Sequence, residues 1–291
     1  MDALDRLLAI LDVEEIDQDL YRGQNEVGRP GRLFGGQVAA QSLVAASHSV
    51  DGLLAHSLHG YFLRPGDPAR PVVYDVERIR DGQSFVTRRV VARQRGKAIF
   101  STSISFQIPE RGYEHQLAMP AAPDPETLPT REELVKRHWE RIPEADRPWV
   151  GQPRAIDTRH AELPTFFGGG PRSSPSLVWF RVPRRLPDDP ALHQRLLAYI
   201  SDMTLIDNAV LPHGRNGPLG PLLVASLDHA LWFHRPARVD QWLLYAQDSP
   251  AAAGARGFAR GTIYARDGTL IASVAQEGLL RPVRRAEDRS V

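Results

Sequence analysis

The sequence predicts an α+β fold of two halves, each a long apolar helix followed by an antiparallel sheet of about four strands. Three observations predict it. An apolar helix recurs, as GGQVAAQSLVAAS at 35–47 and ALHQRLLAYISDMTLID at 191–207. A strand-like run ending in Arg-Pro follows each helix, SLHGYFLRP at 57–65 and SLDHALWFHRP at 226–236. Three more extended runs then close on a glutamine, Gln107 in SISFQ and Gln276 in SVAQ. The Arg-Pro pairs stand 171 residues apart and the two glutamines 169 apart, with the same element order, which points to internal duplication.

The elements follow in chain order. Leu4, Leu7, Leu8 and Leu11 fall at helical spacing among Asp2, Asp5 and Asp12. That spacing predicts an amphipathic helix, and the acidic start excludes a signal peptide. In 98–106, Ala98, Phe100, Thr102, Ile104 and Phe106 share one face while Ser101, Ser103 and Ser105 share the other, the signature of a half-buried strand. The runs 83–91 (QSFVTRRVV) and 240–248 (DQWLLYAQD) read as strands, and Asp-Gly at 81–82 and 267–268 marks hairpin turns. Fourteen of the 24 prolines lie between Pro109 and Pro190, together with Gly168 to Gly170 and the SSP run at 173–175. Within that stretch 131–140 reads as a short helix and 176–182 as a strand. The expected organisation is an N-terminal half (1–108), a Pro-rich connection (109–175) and a C-terminal half (176–291). Each sheet must bury one face, so it is expected to wrap its helix, with the two sheets joined edge to edge.

Composition narrows the function. Lys plus Arg is 36 against 35 for Asp plus Glu, a net charge of +1 that argues against nucleic-acid binding. The absence of cysteine removes disulfides, thiolate metal sites and a cysteine nucleophile. No apolar run reaches the length of a membrane span, and the terminal AEDRSV is no sorting address, so a cytoplasmic protein is expected. The chain lacks GxSxG, GxxxxGK[ST], GxGxxG and HExxH, which excludes the common serine-hydrolase, nucleotide and zinc motifs. His56 with His59, and His229 with His234, read as strand histidines, hydrogen-bonded or exposed, and not as metal ligands; no metal and no bound cofactor are expected.

Three polar residues stand out by position. Asp202 sits on the second long helix among Tyr199, Leu205, Ile206 and Ala209, where an acid needs either partners or a chemical role. Gln276 shares strand parity with Leu270, Ala272, Val274 and Leu280, so it should face the helix as a hydrogen-bonding plug or as a reacting group. Ser226 opens a strand with its facing undetermined. A helix and two strands of one wrapped sheet could gather this carboxylate, amide and hydroxyl around one water, which suits hydrolysis with water as nucleophile. A thioester suits such a site because its thiolate leaves readily.

These residues lie in strings that resemble the acyl-CoA thioesterase II family, whose fold is a double hotdog. The strings include LYRGQ (20–24), LFGGQ (33–37), HSLHGYFLRPGD (56–67), YDVERIRDGQSF (74–85) and GKAIFSTSISFQ (96–107). They continue as SDMTLIDNAVLPHG (201–214), ASLDHALWFHRP (225–236), ARGFARG (255–261) and AQEGLLR (275–281). The resemblance implies an acyl-CoA substrate, no acyl-enzyme, and catalytic residues at Asp202, Ser226 and Gln276. Asp202 with Ser226 or Gln276 would orient and activate the water, Ser standing where the family has Thr or Ser. The helix N-terminus at Gly35 and Gly36 is a candidate seat for the thioester carbonyl, and His56 a further substrate-binding candidate. Arg64, Arg256 and Arg260 are candidate contacts for the coenzyme's phosphates. A homodimer or homotetramer is expected, since hotdog proteins associate through sheet edges. Two alternatives stand: a double-hotdog enoyl-CoA hydratase, which needs a close Asp–His pair absent from 191–207, and a non-catalytic acyl-CoA binder.

Overall fold

The computed structural model describes residues 1–26, 31–172, 175–214, 216–217 and 220–283. Ser173 and Ser174 of the SSP run and the terminal AEDRSV lie outside the described residues. The N-terminal half holds α1 (Ala3–Leu11), β1 (Val13–Asp17), β2 (Leu20–Gly23), α2 (Gly35–Ser47), β3 (Leu54–Phe62), β4 (Val72–Asp81), β5 (Phe85–Gln94) and β6 (Lys97–Gln107). The connection carries α3 (Arg131–Arg137), α4 (Arg147–Val150) and β7 (Asp157–His160). The C-terminal half holds β8 (Ser176–Arg181), α5 (Pro190–Ser201), α6 (Asp207–Val210), β9 (Asn216–Gly217) and β10 (Gly220–Ser226). It ends with β11 (Asp228–Phe233), β12 (Leu243–Ala253), β13 (Arg256–Ala265) and β14 (Leu270–Pro282).

One sheet runs through the molecule in the order β1-β2-β4-β5-β6-β3-β11-β14-β13-β12-β8-β7, with β10 on β14 and β9 on β10. The halves meet at the antiparallel β3–β11 pair, where Leu58 faces Leu231, both fully buried. Outward from that seam the order is β6-β5-β4 on one side and β14-β13-β12 on the other, so the seam relates the halves as an approximate twofold. His59 pairs with Ala230 there, and these two residues are themselves 171 apart, the offset of the Arg-Pro pairs. The α+β, double-hotdog expectation is met.

Sequence explains the two central helices. In α2 every residue from Gly36 to Ala46 is buried, and its run of Ala, Ser and Gly lets the sheet and α5 approach closely. Helix α5 starts where Asp189 accepts the Ala191 N–H at 2.9 Å and Pro190 occupies the first turn. It does not continue to residue 207 as its apolar spacing suggests: it stops at Ser201, Asp202 becomes its C-cap, and α6 follows after a break. The outer face of the C-terminal half is covered by the connection, through Trp179 Nε1 to the Pro123 carbonyl and Trp242 Nε1 to Glu126, both 2.9 Å.

Three local expectations change. Ser226 closes β10 instead of opening one long strand, because the chain breaks at Leu227 before β11. β14 runs past Gln276 to Pro282, so that glutamine lies within its strand while Gln107 ends β6. Leu270 packs with Trp242, Leu244 and Tyr264 on the other side of the sheet, because the β13–β14 register shifts next to it. Among the described residues no helix is long and apolar enough to cross a membrane.

Candidate functional site

Asp202 is 8% exposed and sits where the end of α5 meets the start of α2. Its Oδ2 accepts the Gly36 N–H at 2.7 Å, and its Oδ1 accepts the Gln276 amide N–H at 2.6 Å. The first bond uses an N–H at the N-terminus of α2, which has no intrahelical partner and favours an anion. Glycine is required for that approach: a Cβ on Gly36 would lie 2.4 Å from the Tyr199 carbonyl oxygen, and one on Gly35 would lie 2.7 Å from Asp202 Oδ2. The two candidate glycines therefore bring the helix end onto the carboxylate.

Gln276 is fully buried, and its Nε2 reaches both Asp202 and His229 Nδ1, the latter at 3.2 Å. His229 is 1% exposed; its Nε2 lies 2.8 Å from Ser201 Oγ, which donates to the Ala198 carbonyl at 2.9 Å. Burial pushes the His229 ring below the ordinary histidine range, and the nearby Asp202 and Asp228 oppose that only in part. Its Nδ1 stands 3.9 Å from Asp202 Oδ1. Burial also raises the Tyr245 hydroxyl, which donates to the Ser201 carbonyl at 2.8 Å. The sequence expectation for His229, a hydrogen-bonded strand histidine, is met but incomplete. Its place beside Gln276 is signalled by alternation, since His229, Leu231 and Phe233 all point to the core along β11.

Ser226 and Asp202 line one cavity of about 610 Å³, walled by Phe34, Gly35, Phe62 and Met203, with Arg32 and Arg64 at its rim. A second cavity, about 540 Å³, shares Phe34 and Met203 and runs between α1, α2 and the connection past Tyr199. Phe34 and Met203 thus line both cavities, and sequence reasoning named neither. The remaining candidates scatter. His56 sits at the β3 register shift, edge-on to Phe85 with ring centres 5.5 Å apart, and lines neither cavity. Arg256 pairs with Glu277 and Arg260 with Asp248, each at 2.8 Å on the exposed surface, and neither lines these two cavities, whereas Arg64 lines the first. Arg32, which the sequence does not single out, joins it there. Among the described residues no cluster of His, Asp and Glu could hold a metal ion.

The approximate twofold allows the halves to be compared residue by residue. The 171-residue offset sets Ala55 against Ser226 and Leu58 against His229. Leu58 pairs with Ile104 on β6, and the β11–β14 register carried one residue further pairs His229 with Gln276. The N-terminal half thus holds Ala55, Leu58 and Ile104 where the C-terminal half holds Ser226, His229 and Gln276. Gln107, two residues off in the sequence comparison, is not the counterpart of Gln276.

Comparison with known proteins identifies the family and the fold. An acyl-CoA thioesterase family model matches residues 152–279, and a model of the acyl-CoA thioesterase N-terminal domain matches 25–107. Acyl-CoA thioesterase 2 of Haemophilus influenzae is 37% identical over 281 residues, covering 96% of this chain and 98% of its own. The crystal structure of an acyl-CoA thioesterase II from Mycobacterium marinum is 44% identical, with TM-score 0.76 and coverage of 96% and 98%. A hot dog fold protein of unknown function from Alicyclobacillus acidocaldarius shares the fold at 19% identity, with TM-score 0.76 and coverage of 96% and 99%. With both halves matched and nearly every residue aligned, the chain belongs to the acyl-CoA thioesterase family.

Proposed function

We propose that the protein hydrolyses acyl-CoA thioesters to free CoA and a carboxylic acid, with water as the nucleophile and Asp202, Gln276 and Ser226 as the residues that hold and activate it. The observation that carries this reading is a carboxylate held by two N–H donors, at 2.7 and 2.6 Å, on the wall of a cavity it shares with a serine hydroxyl. Gln276 Oε1 is buried with no hydrogen-bond partner among the described residues, an acceptor suited to one proton of that water. Asp202 takes the other proton as the oxygen adds to the thioester carbonyl carbon. The oxyanion then collapses, the C–S bond breaks, and CoA leaves as its thiolate. Gly35, on the cavity wall at the start of α2, supports seating the carbonyl at this helix end beside Asp202.

Catalysis belongs to the C-terminal half in this reading, with 1–108 as a companion half and 109–175 as the connection. A homodimer or homotetramer acting in the cytoplasm completes it. The hydratase alternative draws no support from His229, because both ring nitrogens are engaged and the ring is buried behind Gln276.

CoA release from acyl-CoAs of graded chain length, wild type beside Asp202→Asn, tests the proposal. Turnover should fall by about 10²–10⁴-fold in the variant, the range of a lost general base. Binding of acyl-CoA without release by wild type would favour a binder, and release that survives Asp202→Asn would displace the site.

A further inference from the structure

Gln276 can hold Asp202 only if its amide is oriented, and what orients it is not Asp202 alone. Both of its N–H groups are used, one on Asp202 Oδ1 and the other on His229 Nδ1. Because Nδ1 accepts, the neutral ring must carry its proton on Nε2, where it donates to Ser201 Oγ, and that hydroxyl passes its own proton toward the Ala198 carbonyl. A chain of hydrogen bonds therefore runs from the backbone of α5 through Ser201 and His229 to the amide. A proton on Nδ1 would oppose an amide N–H. The amide would then turn its oxygen toward both the ring and Asp202, setting two oxygens against each other.

The N-terminal half shows that the fold does not need this arrangement. At the matching places Leu58 and Ile104 pair across β3 and β6, both fully buried, with no polar atom in either side chain. The sheet and helix pack equally around the apolar pair, so the polar pair answers to the chemistry on its own side. We infer that His229 is a positioning residue: by accepting on Nδ1 and donating from Nε2 it fixes the orientation of the Gln276 amide and, through it, the Asp202 carboxylate. This rests on the thioesterase reading above. Its charged and titratable surroundings are Asp202 from the end of α5, Asp228 from its own strand and Tyr245 from β12.

Two substitutions separate the two ring nitrogens. His229→Asn sets an acceptor at the place of Nδ1 and gives up the link to Ser201; His229→Gln reaches the place of Nε2 and gives up the acceptor. We expect His229→Gln to lower kcat about 10–100-fold with KM within about twofold, and His229→Asn to recover most of that loss. The double variant His229→Leu with Gln276→Ile copies the N-terminal pair; it should fold with Tm at or above that of wild type and release no CoA. Nitrogen-15 spectra of labelled histidine read the ring without turnover: at neutral pH, Nδ1 should be bare and Nε2 protonated in wild type. A wild type that releases no CoA ends the thioesterase reading. A ring protonated on Nδ1 overturns the positioning role whatever the turnover. So does a His229→Gln enzyme as active as wild type, or a pair of single variants that lose kcat and Tm together.

Discussion

Replacing Gly36 with alanine tests whether the contact between α2 and α5 holds the carboxylate in place. The new Cβ would start 2.4 Å from the Tyr199 carbonyl oxygen, whereas ordinary contact begins at 3.4 Å. The obstacle is backbone, so a rotamer change cannot relieve it and the helices must part by about 1 Å. The Gly36 N–H would move with them, and its 2.7 Å bond to Asp202 would lengthen beyond the limit of a hydrogen bond. Overpacking of this kind costs about 1–3 kcal/mol, which lowers Tm by several degrees in a protein of this size, at about 2–4 °C per kcal/mol. A catalytic group displaced by about 1 Å loses on the order of 10²-fold in rate. Thermal unfolding and CoA release on one preparation measure both effects. An alanine enzyme with the wild-type Tm and kcat would refute the account, and one that loses stability alone would detach Gly36 from the chemistry.

Ser226→Ala should lower kcat by about tenfold or more while Ser226→Thr, which keeps the hydroxyl, stays close to wild type; equal activity in all three would remove the hydroxyl from the mechanism. Leu58→Ala and Leu231→Ala, across the seam, should each cost about 2–5 kcal/mol. Denaturant unfolding of the double mutant should reveal coupling of about 0.5–3 kcal/mol, and strict additivity would mean the pair does not join the halves. Arg238 hydrogen-bonded to Asp240 holds that carboxyl down at about 2, so the stability it contributes is complete above the ordinary carboxylate range and is lost as pH falls through about 2. Unfolding of wild type and Asp240→Asn followed from pH 5 down to 2 should show the gap between them closing; a gap independent of pH would contradict the assignment.

Much of this architecture was legible because it rests on local patterns. The alternation of Phe100, Thr102, Ile104 and Phe106 places four buried residues on one face of β6, as spacing alone requires. The parity that aimed Gln276 at the helix also holds. What escaped depends on distant partners. Nothing between Ser201 and Asp207 announces a helix stop, since no Gly or Pro stands there; Asp202 leaves the helix to meet Gly36, a residue 166 positions away. The expectation that Asp202 needs partners is met, but at the C-cap of α5 and not within a helix. The hydrogen-bonded His229 was legible but its partners were not, because Ser201 and Gln276 come from a helix and a strand that only the folded sheet brings to it. A difference of three residues between Gln107 and Ile104 likewise hid Ile104 as the counterpart of Gln276, because strand register is set by pairing and not by motif ends.

The covalent link between the halves bears on what mutation can do to each. In a dimer of identical chains about the same axis, every substitution is made twice, and a polar pair introduced on one side would open a second one on the other. Here the two sides are different stretches of one chain, so a substitution at Leu58 introduces no matching substitution at His229. One half can keep an apolar pair that contributes only burial, while the other accepts the desolvation of a histidine and an amide. Packing around Leu58 and Ile104 can therefore be varied without rewriting His229 or Gln276, although Leu58 reaches Leu231 across the seam and His229 pairs there with Gly60.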